Sequence, residues 1–350
     1  MSMNMTLRLL TALAFGVVSE AAAAQPGAPQ EGNVPPVALS KWIGSIPARF
    51  EKWDLVAEPD KDQAEWWAGA PSVVREDSGT FWMAARMRTA DAPLGRRGYE
   101  IRIYRSQDGI KFTQAHSIKR EQVPIPGFER PALLRDRATG KFKLYGCGPL
   151  KDAWCIFKFA DAGSPDKFDP ATVKPVIEPR PLVEQGIPYP TGYKDPVVIQ
   201  AEGAYHCFVI GVFRLERLYH FVSKDGETWE PVGDRAQSLM DLSGWHTFFV
   251  RPASVLPLGV GYLFVYEGSD TRWADPVYNI ATGLGFTFDL QHIVDLTPDG
   301  PLLASPTPGR LQTWRYSHWM WVGDELWVYA EVEKRNGAHE IRLFRLPRLK

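Results

Sequence analysis

Asp195-Pro196-Val197-Val198-Ile199 has three counterparts in the chain: Ala70-Pro71-Ser72-Val73-Val74, Arg130-Pro131-Ala132-Leu133-Leu134 and Arg251-Pro252-Ala253-Ser254-Val255. Their prolines are 60, 65 and 56 residues apart. A fifth segment, Arg315-Tyr316-Ser317-His318-Trp319-Met320-Trp321, falls about one period later without the proline. Self-similarity at such a period marks a repeat architecture, because one unit cannot bury its apolar face alone. Five units of this size predict an all-β fold, a five-bladed β-propeller of mostly four-stranded antiparallel blades.

Each unit reads as short strands broken by turn residues, with no sustained helical period. In the first unit, residues 71–74, 80–87 and 98–106 are expected strands, separated by turns at Glu76-Asp77-Ser78-Gly79 and Gln107-Asp108-Gly109. A second marker follows the third strand: Ser106-Gln107-Asp108-Gly109-Ile110-Lys111-Phe112 matches Ser223-Lys224-Asp225-Gly226-Glu227-Thr228-Trp229. Thr282, Gly285 and Phe288 are read as a degraded third copy. The aromatics Phe112, Phe168, Trp229 and Phe288 are 56, 61 and 59 residues apart, which repeats the proline phase from different residues. These boxes are architectural, since Ser and Asp side chains bond the amides of a tight turn and Gly supplies its left-handed angle.

The 350-residue chain is 45% hydrophobic and 23% charged with a formal net charge of -1, so it can fill a core and lacks the basic stripe of a nucleic-acid binder. Residues 1–24 read as a signal peptide: Arg8, an apolar run over residues 9–18, and Ala21-Ala22-Ala23-Ala24 before Gln25. Export to the periplasm or medium is therefore expected, and the run is too short to span a membrane. Residues 25–50, rich in Pro and Gly, form a flexible lead-in, and residues 51–350 the propeller catalytic domain. The segment 50–57 is expected to pair with the last blade and close the ring. Cys147 and Cys155 could face each other across a hairpin and form a disulfide, whereas Cys207 reads as a buried strand residue. No C-x-x-C pair points to zinc.

In a propeller the innermost strands run along the axis, and their ends converge on a funnel. The residues before each repeated proline should therefore meet: Trp67 to Ala70, Glu129 with Arg130, Lys194 with Asp195, and Arg251, joined by Arg315 and His318. The ends of the second strands should add Glu267, Glu331, Arg86 and Arg88. Burying so many charges costs several kcal/mol each unless they pair or meet a ligand. Trp66, Trp67, Trp245 and Trp273 lie beside this mouth, where their faces would suit sugar rings. His318 and His246 could approach the axis, but a histidine among aromatics is expected to be packed and hydrogen-bonded rather than a metal ligand, and no metal or cofactor is expected.

The strand openings, Lys194-Asp195-Pro196, Tyr266-Glu267-Gly268 and the Ser-x-Asp-Gly turns, taken in phase over residues 66–347, resemble the superfamily of five-bladed propeller glycosidases that includes glycoside hydrolase families 43, 62, 32 and 68. The resemblance implies catalytic roles for Asp195 and Glu267 and a carbohydrate substrate. Cleavage of a glycosidic bond needs one protonated and one ionised carboxyl group. Glu267, among Phe264, Val265 and Tyr266, suits the acid; Asp195, beside Lys194, suits the base or a group that orients the sugar and tunes Glu267. The remaining site residues, Trp67, Arg86, Glu129, Arg130, Lys194, Arg251, Arg315, His318 and Glu331, are read as substrate-binding. Arginine forks would hold carboxylates or hydroxyls.

One position departs from the family. Family 43 carries an aspartate before the first proline as general base, and this chain has Ala70. Three alternatives follow: another carboxylate such as Glu65, Glu129 or Glu331 serves; the chain binds glycan without cleaving it; or phosphate replaces water, as in glycoside hydrolase family 130, held by Arg130, Lys194, Arg251 and Arg315. Six-bladed sialidases also use an arginine triad, but only five units are counted here.

Overall fold

The computed structural model describes Ile46 and residues 50–347, apart from 94–95, 151–152, 180–182, 185–186, 189–191, 214, 234–237, 306 and 308–311. The expected leader and nearly all of the lead-in lie outside these residues. The described chain is nearly all β, and its strands form mostly four-stranded antiparallel sheets.

A short strand β1 (Asp54–Ala57) precedes the first set, β2 (Trp66–Arg75), β3 (Phe81–Thr89), β4 (Gly98–Ser106) and β5 (Thr113–Lys119). The second set is β6 (Ala132–Arg135), β7 (Phe142–Leu150), β8 (Ala153–Lys158) and β9 (Lys174–Ile177). A small hairpin, β10 (Val183–Glu184) and β11 (Ile187–Pro188), leads to the third set, β12 (Tyr193–Ala201), β13 (Ala204–Phe213), β14 (Leu215–Ser223) and β15 (Glu230–Pro231). The fourth is β16 (Phe249–Pro257), β17 (Tyr262–Ser269), β18 (Ala281–Thr287) and β19 (Val294–Asp295). The last contains β20 (Trp314–Val322), β21 (Glu325–Glu333) and β22 (His339–Pro347), and β1 pairs antiparallel with β22 as its fourth strand. The expected pairing of the segment 50–57 with the end of the chain is thus observed over Asp54–Ala57.

The opening strands succeed one another in a cycle: β2 touches β6, β6 touches β12, β12 touches β16, β16 touches β20, and β20 returns to β2. Side-chain hydroxyls stitch two of these steps. Ser72 Oγ accepts from the Leu133 amide at 2.8 Å, and Ser254 Oγ accepts from the Trp319 amide at 3.1 Å.

Apolar packing follows the same cycle, with one cluster between each successive pair of sheets. Ile103 shares a cluster with Phe142, Cys147 with Val209, Phe208 with Phe264, Leu263 with Val328, and Tyr329 with Met83, in five separate clusters. A sheet covered on both faces has no solvent side, so its middle strands lose the usual alternation. All nine residues of β3 and all seven of β18 are buried accordingly.

The box turns lock neighbouring sheets. Ser106 Oγ accepts from the Gly109 amide at 2.9 Å and Asp108 Oδ1 from Ile110 and Lys111 at 2.8 Å. The carbonyl thus presented at Gly109 accepts Tyr329 OH from the last set at 2.7 Å, and Gly226 likewise accepts Tyr145 OH at 2.8 Å. The third copy is corrected by the structure: it is Thr287, Asp289 and Leu290, with Thr287 Oγ1 accepting from Leu290 and Asp289 Oδ1 from Gln291 and His292. Leu290 takes the glycine's left-handed angle, φ 60°, which hid the turn from a pattern that demanded Gly.

The disulfide is also corrected. Cys147 lies opposite Ile156 and Gly148 opposite Cys155, so the two thiols leave opposite faces of the β7–β8 ladder and are not joined.

A buried imidazole pair lies in the third set. His206 Nδ1 and His220 Nε2 are 3.0 Å apart, and His220 stacks on Phe208 at 4.4 Å. Burial, reinforced by the facing His206, pushes His220 down to about 3, and burial also lowers His206. Burial likewise lowers His339 to about 4. A histidine whose folded pKa is depressed binds fewer protons native than unfolded, so its stabilising contribution is complete above about 6.5 and lost as pH falls toward about 3. The thermal midpoint is therefore expected to drop steadily as pH falls below about 6.5. His220→Phe should flatten that limb in a differential-scanning series, and an unchanged limb would refute the assignment.

Candidate active site

Three of the five strand openings hold their key residue in the left-handed region: Ala70 at φ 51°, Asp195 at φ 53° and Tyr316 at φ 53°. Each sits in a bulge of its opening strand, where the register with the second strand slips between Gly69 and Ser72, Lys194 and Val197, and Arg315 and His318. A bulge re-aims the side chains at its rim. It also realigns the fifth unit by one residue: Tyr316, not Arg315, is the structural counterpart of Ala70 and Asp195.

The bulges deliver a dense charged cluster. Glu331, fully buried on β21, accepts Arg315 Nε at 2.8 Å, Arg86 Nη2 at 3.2 Å and the Ala70 amide at 3.0 Å, while His339 Nδ1 lies 2.7 Å away. Burial would raise its pKa, but Arg315, Arg86 and His339 outweigh it and hold the carboxyl well below the usual range. Its carboxylate lies so close to Gly69 that a Cβ there would fall inside it. An acidic group therefore stands beside Ala70 after all, contributed by the last set and fully engaged.

Glu129 hydrogen-bonds the other arm of Arg86, and its side chain is 14% exposed. Burial raises its pKa less than Arg86, Arg88, Lys194 and Arg315 lower it, so it stays ionised. Lys194 Nζ and Arg251 Nε share Glu216 at 2.9 and 2.6 Å. These cations overcome burial and take Glu216 down to about 2.

Asp195 and Glu267 are held by consecutive residues of β20. Tyr316 OH donates to Asp195 Oδ2 at 3.1 Å, and the Ser317 amide donates to Glu267 Oε1 at 3.3 Å. Asp195 Oδ1 also accepts from the Arg130 amide at 3.3 Å and the Cys147 thiol at 3.5 Å. Arg130 feels both carboxyls, and its guanidinium is spent on the Pro252 and Ala253 carbonyls at 2.8 and 2.5 Å. Glu267 is fully buried, and its Oε2 has no hydrogen-bond partner among the described residues. Burial, opposed by Arg130 and Arg251, pushes it up to about 7.

The tryptophans expected at the mouth are placed differently, and the histidines are packed as expected. Trp67 is buried, stacked on His339 at 4.2 Å with Arg88 and Arg315 at 4.0 and 4.9 Å from its ring, so neither face is open to a sugar. Trp245 packs on Trp273 and Tyr266, and His246 pairs with Asp295 of the outer strand β19 at 3.1 Å. His318 is half-buried near Arg130, and burial brings it down to about 3. Glu65 is exposed at the start of β2. A cavity of about 790 Å³ opens over the first set between Asp60, Trp66, Tyr99, Arg102 and Lys119, and no carboxyl of the cluster lines it. Charge and burial, rather than concavity, single out the cluster.

Glu216, Tyr316, Cys147 and His339 were not foreseen as members of the cluster. Tyr316 had a legible signal, since Ser317 occupies the place of the repeated proline. Glu216 opens a third strand, where no repeated marker exists.

No family model matches the chain, and no curated protein matches it. Solved structures do. A glycoside hydrolase is 14% identical with a TM-score of 0.64, covering 84% of this chain and 90% of its own. The β-1,2-mannobiose phosphorylase of Listeria innocua, solved with β-1,2-mannobiose, is 13% identical with a TM-score of 0.59 over 83% of this chain and 92% of its own. A thermostable family-43 glycoside hydrolase is 14% identical with a TM-score of 0.57 over 82% and 91%. The resemblance to propeller glycosidases read from the sequence is therefore matched at the level of fold.

Replacing one partner of a buried charge network leaves the others uncompensated, at about 3–5 kcal/mol. Glu331→Gln should lower the unfolding free energy by that order, and Gly69→Ala should act in the same direction by displacing the same carboxylate. Chemical denaturation of both variants reads this out. Wild-type stability in Glu331→Gln would mean that the arginines do not depend on it.

Proposed function

We propose that the five sheet sets are the blades of a five-bladed β-propeller and that this chain is an exported glycoside hydrolase acting at the central cluster. The cyclic contacts of the opening strands and the five inter-sheet clusters support the architecture. Export rests on the leader read in residues 1–24. A substrate oligosaccharide or polysaccharide is in keeping with the β-1,2-mannobiose seen in the fold relative.

The observation that carries the reading is Glu267. It is a buried carboxyl that keeps its proton to about 7, held by the Ser317 amide on one oxygen and unpartnered on the other. Such a group donates to the departing glycosidic oxygen near neutrality. Asp195 has both oxygens committed to Tyr316, Arg130 and Cys147, which suits it to orienting the reacting sugar and the acid. Glu129, ionised and partly exposed, is our candidate for the carboxylate that activates water.

A second reading is favoured by Ala70 and by the full engagement of Glu331 beside it: with no free carboxylate at the family's base position, phosphate could serve as nucleophile, as the fold shared with a phosphorylase allows. Phosphate-dependent turnover would select that route.

General acids contribute roughly 10²–10⁴-fold. Glu267→Gln should therefore lose at least about a hundredfold in kcat on natural glycosides, and much less on aryl glycosides whose leaving group needs no proton. The acid must be protonated, so activity should fall as pH rises through about 7. Binding without turnover by the unmodified protein across a broad glycoside panel would instead identify a glycan-binding propeller.

A further inference from the structure

Arg86 and Arg88 leave the same face of β3, two residues apart, with Arg86 opposite Gly69 and Arg88 opposite Trp67. Arg86 is matched by Glu129 and Glu331. Arg88 is different. It is 5% exposed, it has no carboxylate within 4.0 Å among the described residues, and its Nε has no hydrogen-bond partner there.

The surroundings make the missing anion conspicuous. Even if Glu129, Asp195, Glu216, Glu267 and Glu331 are all counted as anions, the cations Arg86, Arg88, Arg130, Lys194, Arg251 and Arg315 outnumber them. Buried charges of one sign are held only if something compensates them. Tyr278 takes up part of that charge, since its phenol hydrogen-bonds the Arg88 side chain: burial would raise it, yet Arg88, by charge and by that bond, together with Arg315 and Arg97, brings it below its ordinary value, and the Arg88 Nε is left over.

We propose that Arg88 is an anion subsite that receives the carboxylate of an acidic sugar unit in the substrate glycan. This rests on the glycan-processing reading above and specifies its substrate class. The planar guanidinium, its carbon 4.0 Å from the centre of the Trp67 ring and its Nε unpartnered, presents an edge that matches a carboxylate with two parallel hydrogen bonds. A singly charged carboxylate needs one such fork. The Glu129 charge, which Arg88 already feels, repels a doubly charged phosphate about twice as strongly as a singly charged carboxylate.

Saturation-transfer NMR titrations of the full chain test it, using the methyl glycosides of glucuronic and galacturonic acid, their neutral glucose and galactose counterparts, and inorganic phosphate. A hydrogen bond to a charged partner is worth enough for about tenfold or more in affinity. The acidic glycosides should bind at least about tenfold tighter than the neutral ones, Arg88→Gln should abolish the difference, and Arg88→Lys should keep part of it. Equal affinity of acidic and neutral glycosides for the wild type overturns the proposal without any variant having to fold. A preference that survives in folded Arg88→Gln overturns it as well, and so does Arg88-dependent binding of phosphate alone. Glu267→Gln should lose turnover yet keep the acidic preference, so failure of the subsite and failure of the catalytic reading are told apart.

Discussion

The buried carboxylate of Glu331 is the interaction on which the centre of this molecule depends. It takes hydrogen bonds from Arg315 in its own sheet set, from Arg86 and the Ala70 amide in the first set, and contacts His339 on β22. At the rim, β1 joins the two ends of the chain by pairing with β22, and at the centre Glu331 does so by charge. An isolated carboxylate at this depth would protonate or fail to be buried at all. Two guanidiniums and a backbone amide make it tolerable, and in return they are fixed in place themselves.

From that anchor the rest of the cluster acquires its division of labour. Arg86, held by Glu331 on one arm, offers the other to Glu129 and keeps that carboxyl ionised. Glu216 absorbs Lys194 and Arg251 in the same way. Glu267 receives only a long amide contact and the more distant influence of Arg130 and Arg251, so burial prevails and its proton stays. Glu331, Glu129 and Glu216 on one side and Glu267 on the other thus differ in whether a guanidinium touches them.

The backbone strain at Ala70, Asp195 and Tyr316 has a place in this scheme. Left-handed angles at non-glycine residues cost about 1–3 kcal/mol each and persist where the surroundings over-determine them. Here the surroundings are the cluster itself: the Ala70 amide is spent on Glu331, and Asp195 and Tyr316 hold each other by a hydrogen bond. Glycine would relieve the angle but would supply neither the carboxylate nor the phenol.

The amino-acid sequence by itself determined the period, the strand-and-turn content, the box turns at Ser106 and Ser223, and the set of charged residues at the strand openings. Those features are local or repeat in phase, so spacing reports them. Glu267 and Asp195 were singled out by the resemblance of their motifs to those of propeller glycosidases, which implies roles for them that spacing alone does not. Tertiary structure alone decided the partnerships. Glu331 with Ala70, Glu216 with Arg251, and Tyr316 with Asp195 each join residues from different units. Whether a carboxyl is ionised, protonated or merely structural depends on which charge lies within a few ångströms. The cyclic packing of distant sheets sets that distance, and sequence separation does not encode it.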